Sequence, residues 1–186
     1  MRNETLNLIS SRRSHRAYEK TPLTKEQLDA LLQAAVESPS AVNRQPWHFT
    51  VVRDQALLDA WNRAVWEQMM KRDPDRRSSR FADPDFHVFY HAPTVIVLSG
   101  MPDNHYTHID CGIAVENIAL AAESMGLGSV ILGMPRDAFL GDRADEFRQA
   151  LRFPEGWDFV IAIAVGVPAD TKGPHPVKED RISFVD

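Results

Sequence analysis

Hydrophobic positions recur at helical spacing early in the chain. Leu28, Leu31, Leu32 and Ala35 fall on one face of the segment from Thr24 to Val36, the i, i+3, i+4, i+7 pattern of an amphipathic helix. Thr24 can cap it, Gln27 completes a capping box, and Pro39 lies just past its end. The pattern then changes to WHFTVVR, Trp47 to Arg53, whose β-branched and aromatic content predicts a strand. Leu57 to Lys71 predicts a second helix and Arg72 to Arg80 a polar loop. Phe81, Phe86, Phe89 and Tyr90 predict a short aromatic helix. Pro93 opens TVIVLSG, a buried strand. GSVIL (Gly128 to Leu132) and FVIAIAV (Phe159 to Val165) predict two more, and the tail ends in the strand-like ISFV.

Asp110 to Met125 differs from the other helical segments. Ile113, Val115, Ile118, Leu120 and Met125 cover all of its sides, and a helix apolar all round must be buried all round. In a chain of this size that predicts a central helix or a subunit interface. Gly126 supplies the left-handed residue that ends it. The order of elements is helices, strand, helices, strand, helix, strand, strand. This is not a regular βαβ alternation, so an α+β fold is expected, in one domain spanning residues 1–186.

Composition narrows the function. At 44% hydrophobic and 25% charged residues the chain can build a core. A net charge of -5 argues against a dedicated binder of nucleic acid or anionic membrane. No apolar run is long enough to span a bilayer. The N-terminus, MRNETLNLISSRRS, lacks the apolar stretch of a secretory signal. The single cysteine, Cys111, excludes an intrachain disulfide and suits a cytoplasmic setting.

Several chemistries are disfavoured. Gly126, Gly128 and Gly133 have the wrong spacing, and the wrong position between helix and strand, for a dinucleotide fingerprint. Walker A and Gly-x-Ser-x-Gly sequences are absent. His87 and His91, or His105 and His108 with Asp110, have ligand-like spacing, but surface or capping roles account for them better than a metal does. Cys111 sits beside Asp110. The acid raises a thiol pKa rather than lowering it, so Cys111 reads as a small buried residue.

Three segments remain. Arg12-Arg13-Ser14-His15-Arg16 is a basic knot in an acidic chain. Its planar guanidinium forks suit phosphate or paired carbonyls, and equally describe a solvated helix end. Ser38-Pro39-Ser40-Ala41-Val42-Asn43-Arg44-Gln45-Pro46-Trp47 is a stiff, polar loop, suited either to fixing a planar heterocycle or to turning the chain. Gly126 to Met134, GLGSVILGM, precedes the distant cations Lys178 and Arg181. A glycine at 133 can admit a ligand close to the backbone, or can simply end a strand.

RRSHRAY, SPSAVNRQPWHF, DCGIAVENIALAAESMGLGSVILG and VGVPAD, in that order, resemble the flavin-dependent nitroreductase family. The resemblance covers most of the chain and is weakest over residues 54–90. It implies a three-layer sandwich with a central, mostly antiparallel sheet flanked by helices, in an intertwined homodimer. It implies that Arg12, Arg13 and Ser14 hold the phosphate and ribityl end of FMN and that Arg16 approaches the pyrimidine edge. Pro39, Ser40, Ala41, Asn43 and Gln45 would come from the partner subunit, and Ile131, Leu132 and Gly133 would lie along the ring. Many relatives carry glutamate where Leu132 stands, which leaves the backbone contact alone. Lys178 and Arg181 would close on the phosphate, and the C-terminal tail would cross to the other subunit.

The implied activity is ping-pong hydride transfer from NADH or NADPH through flavin N5 to a small nitroaromatic, quinone or activated alkene, with no side-chain acid or base. Storage or sensing of FMN, and flavin-cleaving or dehalogenating chemistry, are the alternatives. Trp66, Met69, Met70, Phe81 and Phe89 would form either an adaptable lid over the flavin or ordinary core.

Overall fold

The computed structural model describes residues 3–73, 83, 85–174, 176 and 178–185. Four strands form one sheet: β1 (Trp47–Val52), β2 (Thr94–Gly100), β3 (Gly128–Leu132) and β4 (Asp158–Gly166). Their order is β1-β2-β4-β3, and every neighbouring pair is antiparallel. Among the described residues five helices surround it: α1 (Glu4–Ser11), α2 (Lys25–Val36), α3 (Gln55–Arg72), α4 (Thr107–Ser124) and α5 (Ala144–Ala150). Short 3₁₀ segments occupy Ala41–Asn43, Met134–Leu140 and Glu179–Arg181.

Strand alternation builds three layers. Val95, Val97, Ala162 and Ala164 face an aromatic layer in which Trp61, Phe89, Phe139, Phe147 and Phe159 are buried. Their neighbours Ile96, Leu98, Ile163 and Val165 face α2 and α4, where Cys111, Ala114, Ile118, Ala119 and Ala122 meet them. Small strand residues oppose large rings on one side, and large strand residues oppose a small-residue helix face on the other. That exchange lets side chains from both faces of the sheet interdigitate with the layers beside it.

The predicted elements agree with this architecture in most places. Thr24 and Gln27 form both halves of the capping box, at 3.2 and 2.9 Å. Asp54 caps α3 through the Ala56 and Leu57 amides. Gly126 closes α4 at φ 70°. The aromatic helix is a correction. Residues Phe86 to His91 form turns, because Tyr90 and His91 both sit at φ 53°, a left-handed pair that no right-handed helix can contain. Phe81 and most of the polar loop lie outside the described residues. Met69 and Phe89 are fully buried in the aromatic layer, so they are core and not lid, while Trp66 and Met70 are half-buried.

Helix α4 is buried along the sheet but not all round. Ile109 is 55% and Ile113 36% exposed on its outer face. The ISFV tail forms no strand within the chain, and Ile182, Phe184 and Val185 are exposed. Among the described residues no helix is long and apolar enough to cross a membrane.

Candidate active site

The basic knot leaves the end of α1 and runs beside the edge strand β3. Ser14 bridges Ser129 in parallel, and the His15 amide donates to the Ser129 carbonyl at 2.9 Å. Gly128 permits this approach: a Cβ there would come within 2.8 Å of Pro168 and 3.0 Å of His15.

Two half-buried anchors then hold the backbone. The Tyr18 hydroxyl donates to the His15 carbonyl at 2.8 Å and lies 3.4 Å from that of Ala164. Burial, with Asp170 nearby, pushes the Tyr18 pKa far up, so the phenol stays a donor. Asp170 meets His15 Nδ1 at 2.6 Å, accepts from the Arg16 amide at 3.1 Å and pairs with Lys172 Nζ at 2.9 Å. Burial alone would raise its pKa. The hydrogen bonds from Lys172, His15 and the Arg16 backbone outweigh that and hold it down at about 2.

The three guanidinium groups are used differently. Arg12 pairs with Glu116 of α4 at 3.2 Å. Arg13 ties the helix end to the tail, donating from Nη1 to Ser10 and Arg12 carbonyls, both at 2.7 Å, and from Nε to Gly173 at 3.0 Å. Arg16 is exposed, 5.9 Å from the Tyr90 ring centre. Beside the knot, Ile131 is 37% exposed and Leu132 only 3%. The Leu132 side chain belongs to the core, and only its backbone is available to a ligand. Gly133 has φ -91°, and a Cβ built on it meets nothing within 4 Å. Neither backbone conformation nor internal packing requires glycine there; the space in front of it is open.

The second segment, Pro39 to Gln45, is polar, exposed at Pro39, Asn43 and Gln45, and strained. Val42, Asn43 and Gln45 stand at φ 49°, 54° and 48°, conformations that cost non-glycine residues roughly 1–3 kcal/mol each and persist only where the surroundings fix them. Here they do. Ser40 Oγ accepts the Gln45 amide at 2.9 Å, the Ser40 carbonyl accepts the Asn43 amide at 2.9 Å, and Gln45 Nε2 donates to Asn43 Oδ1 at 3.1 Å. Helix α4 holds the loop from below. Both Asp110 oxygens accept the Ala41 amide at 3.3 Å, and Asn117 Nδ2 donates to Ser38 Oγ at 2.8 Å.

Within one chain these segments attach to different sides of α4. Asp110 and Asn117 are one heptad apart and share a face, whereas Glu116, which receives Arg12, points about 120° away by helical geometry. Among the described residues no hydrogen bond or ion pair joins the knot to the loop. The tail cation brought to the knot is Lys172, through Asp170. Lys178 is exposed, and Arg181 pairs with its neighbour Asp180 at 3.6 Å.

The model of the nitroreductase family matches residues 9–167. The chain belongs to that family. An Archaeoglobus fulgidus relative, named by provisional assignment an NADH dehydrogenase/NAD(P)H nitroreductase, is 35% identical over 170 residues, 91% of this chain and 88% of its own. The crystal structure of a nitroreductase with bound FMN from Desulfitobacterium hafniense superposes with a TM-score of 0.94 at 34% identity, covering 100% of both chains. An iodotyrosine deiodinase of Thermotoga neapolitana is 25% identical over 190 residues, 95% of each chain. The nitroreductase fold places the two conspicuous polar segments on one frame, and it brings to them residues to which the sequence assigned no role at the flavin site: Asp110, Glu116, Asn117, Asp170 and Lys172.

Other candidate chemistry lies away from these segments. The buried Cys111 thiol is pushed up to about 12, by burial first and by Asp110 second, which removes it as a nucleophile. His87 is buried, beside Asp59 at 3.3 Å, with its pKa lowered by burial and by His91. Among the described residues no group of three potential metal ligands occurs.

Proposed function

We propose that the chain is a cytoplasmic, homodimeric, FMN-dependent oxidoreductase that uses NADH or NADPH to reduce a small oxidised acceptor. The observation that carries this reading is the open shelf at Ile131–Gly133 beside a fixed run of arginines. A glycine that no internal contact demands, next to cations whose backbone is pinned from both sides, is a cradle for a flat anionic ligand. FMN, once bound, supplies the redox chemistry, accepting a hydride from the nicotinamide and passing the electrons to the acceptor.

The chain's own groups bind and orient. Arg12 and Ser14 hold the phosphate and ribityl end, with the remaining Nη2 of Arg13, and Lys172 joins the tail cations Lys178 and Arg181 in supplying positive charge. Arg16 would set a cation at the pyrimidine edge, where it would favour added negative charge on the bound ring electrostatically. The backbone of Ile131, Leu132 and Gly133 lines the ring. Pro39, Ser40, Ala41, Asn43 and Gln45 of a second copy complete the other side. Two observations support the dimer. Knot and loop do not meet within one chain, and α1 and α4 leave Leu6, Ile9, Ile109 and Ile113 exposed, an apolar area suited to a second subunit.

The test is the visible spectrum of the purified protein, followed by anaerobic titration with NADH and NADPH. A flavin band that bleaches is expected. A band that stays yellow would favour storage or sensing, and a protein that takes up no added FMN would defeat the proposal. Gly133→Val sharpens it. The fold has room, so the thermal midpoint should stay within about 2 °C, while FMN affinity falls at least about tenfold because side-chain atoms occupy the shelf. The deiodinase relative supports a second reading, reductive dehalogenation, which iodide release from an iodophenol would detect.

A further inference from the structure

Helix α4 contains one buried carboxylate that the reading above does not use. Asp110 is 3% exposed and stands on a helix whose other buried positions are almost all apolar or small. Burying a carboxylate is unfavourable unless something in the fold needs its charge or its acceptors. Among the described residues the donor it meets is the Ala41 amide, shared between its two oxygens at 3.3 Å. Its place in the first turn of α4 lets the helix dipole support the charge. One heptad on, Asn117 stands on the same face, and it donates to the buried Ser38 hydroxyl at 2.8 Å. Ser38 in turn donates to the Ala34 carbonyl at 3.3 Å.

The two contacts bracket one short piece of chain. Just beyond them, on the C-terminal side of Ala41, lie the three left-handed residues Val42, Asn43 and Gln45. A strained loop persists only where its surroundings over-determine it. The internal bonds of the loop fix its shape, but they cannot fix it to the rest of the molecule; Asp110 and Asn117 do. From this we infer that Asp110, backed by Asn117, is a positioning residue that holds the Ser38–Gln45 loop preformed to receive the flavin. The inference rests on the FMN reading above. It assigns no chemistry to the carboxylate, which touches backbone and not cofactor. Its consequence is preorganisation: a loop already ordered loses less freedom on binding, and affinity rises by that difference. Because α4 also receives Arg12 through Glu116, each α4 supports a part of both flavin sites in the dimer.

The test compares wild type with Asp110→Ala, Asp110→Asn, Asn117→Ala and a control, Leu151→Ala, which opens the opposite side of the sheet. FMN Kd is read by quenching of flavin fluorescence, loop order by amide hydrogen exchange of residues 38–46 in cofactor-free protein, and stability by thermal midpoint. Asp110→Ala should raise Kd at least about tenfold and speed loop exchange by a similar factor, with Asn117→Ala changing both in the same direction by roughly threefold. Asp110→Asn, whose amide oxygen still accepts from Ala41, should stay within about threefold of wild type in Kd. Leu151→Ala should lower the midpoint while leaving Kd within about twofold.

The inference is overturned if Asp110→Ala binds FMN as wild type does, or if Leu151→Ala weakens binding as much. Should Asp110→Ala fail to fold, Asn117→Ala decides on the same criteria. If wild type itself takes up no FMN, the cofactor reading fails. Loop exchange then still decides the positioning role, and unchanged exchange in the variants overturns it.

Discussion

Trp61→Ala is expected to lower stability by at least about 4 kcal/mol, the largest effect of any single core substitution in this chain. Trp61 is fully buried. Its ring centre lies 5.0 Å from that of Phe89, 5.6 Å from Phe139, 5.9 Å from Phe159 and 6.2 Å from Phe147, three of the four edge-on. Removing it leaves a cavity lined by rings carried on four separate segments, the turns at Phe89, the Met134–Leu140 helix, α5 and β4, which cannot all close on the gap together. Its Nε1 also donates to the Pro135 carbonyl at 2.9 Å, so truncation orphans a buried acceptor as well, worth roughly 1–3 kcal/mol. Domains of this size have about 5–15 kcal/mol in hand, and the variant should be partly unfolded near physiological temperature.

Urea denaturation reads the loss, and Trp61→Phe separates its two parts. Phenylalanine keeps most of the packing and loses the hydrogen bond, so it should cost about 1–3 kcal/mol. Pro135 lies two residues past Gly133, so Trp61→Phe should also weaken FMN binding more than an equally destabilising change at Leu31, on the far side of the sheet. A Trp61→Ala variant within about 1 kcal/mol of wild type would mean that the aromatic layer contributes little beyond filling space.

What could be read along the chain and what could not differ by range. The capping box of Thr24 and Gln27, the continuous apolar runs of β2 and β4 and the apolar length of α4 are local signals, and each appears in the fold. Helix α1 has no buried residue, and its apolar Leu6 and Ile9 face outward, so no core-facing stripe marks it. Helix α5 spans seven residues and buries Phe147 alone, too short for a period. The short Met134–Leu140 helix is held by tertiary contacts, with Ala138 and Phe139 packed into the aromatic layer and the Pro135 carbonyl accepting from Trp61.

The site divides the same way. The arginines and the serine–asparagine loop stand out by residue type. Their supports do not, because the partners are remote: Asp110 meets Ala41 across 69 residues, Asn117 meets Ser38 across 79, and Asp170 meets His15 across 155. VGVPAD marked the right turn without revealing that its aspartate reaches back to the knot. For the tail, charge and the family resemblance drew attention to Lys178 and Arg181, while the fold brings Lys172 to the knot.

Asp170 carries the second large expectation, in binding and in pH dependence together. Asp170→Asn should weaken FMN binding by about 1.5–3 kcal/mol, roughly tenfold to more than a hundredfold in Kd. The neutral amide keeps an acceptor but loses the charge that gathers His15, Lys172 and the Arg16 amide, and the arginine whose backbone it fixes is the one at the open edge of the site. The pH sign follows from the depressed pKa. Folded Asp170 titrates at about 2, below the ordinary value of about 3.9 in an unfolded chain. Its stabilisation is therefore complete above about pH 4 and is lost as pH falls through about 2. Other carboxylates titrate in the same window, so wild type alone cannot isolate the effect. The difference in urea midpoint between wild type and Asp170→Asn can. That difference should be constant from about pH 7 to pH 5, shrink below about pH 4 and approach zero near pH 2. A difference that already fades between pH 7 and pH 5 would show that some other group governs the joint between knot and tail, and that the Asp170 carboxylate is not what holds Arg16 in place.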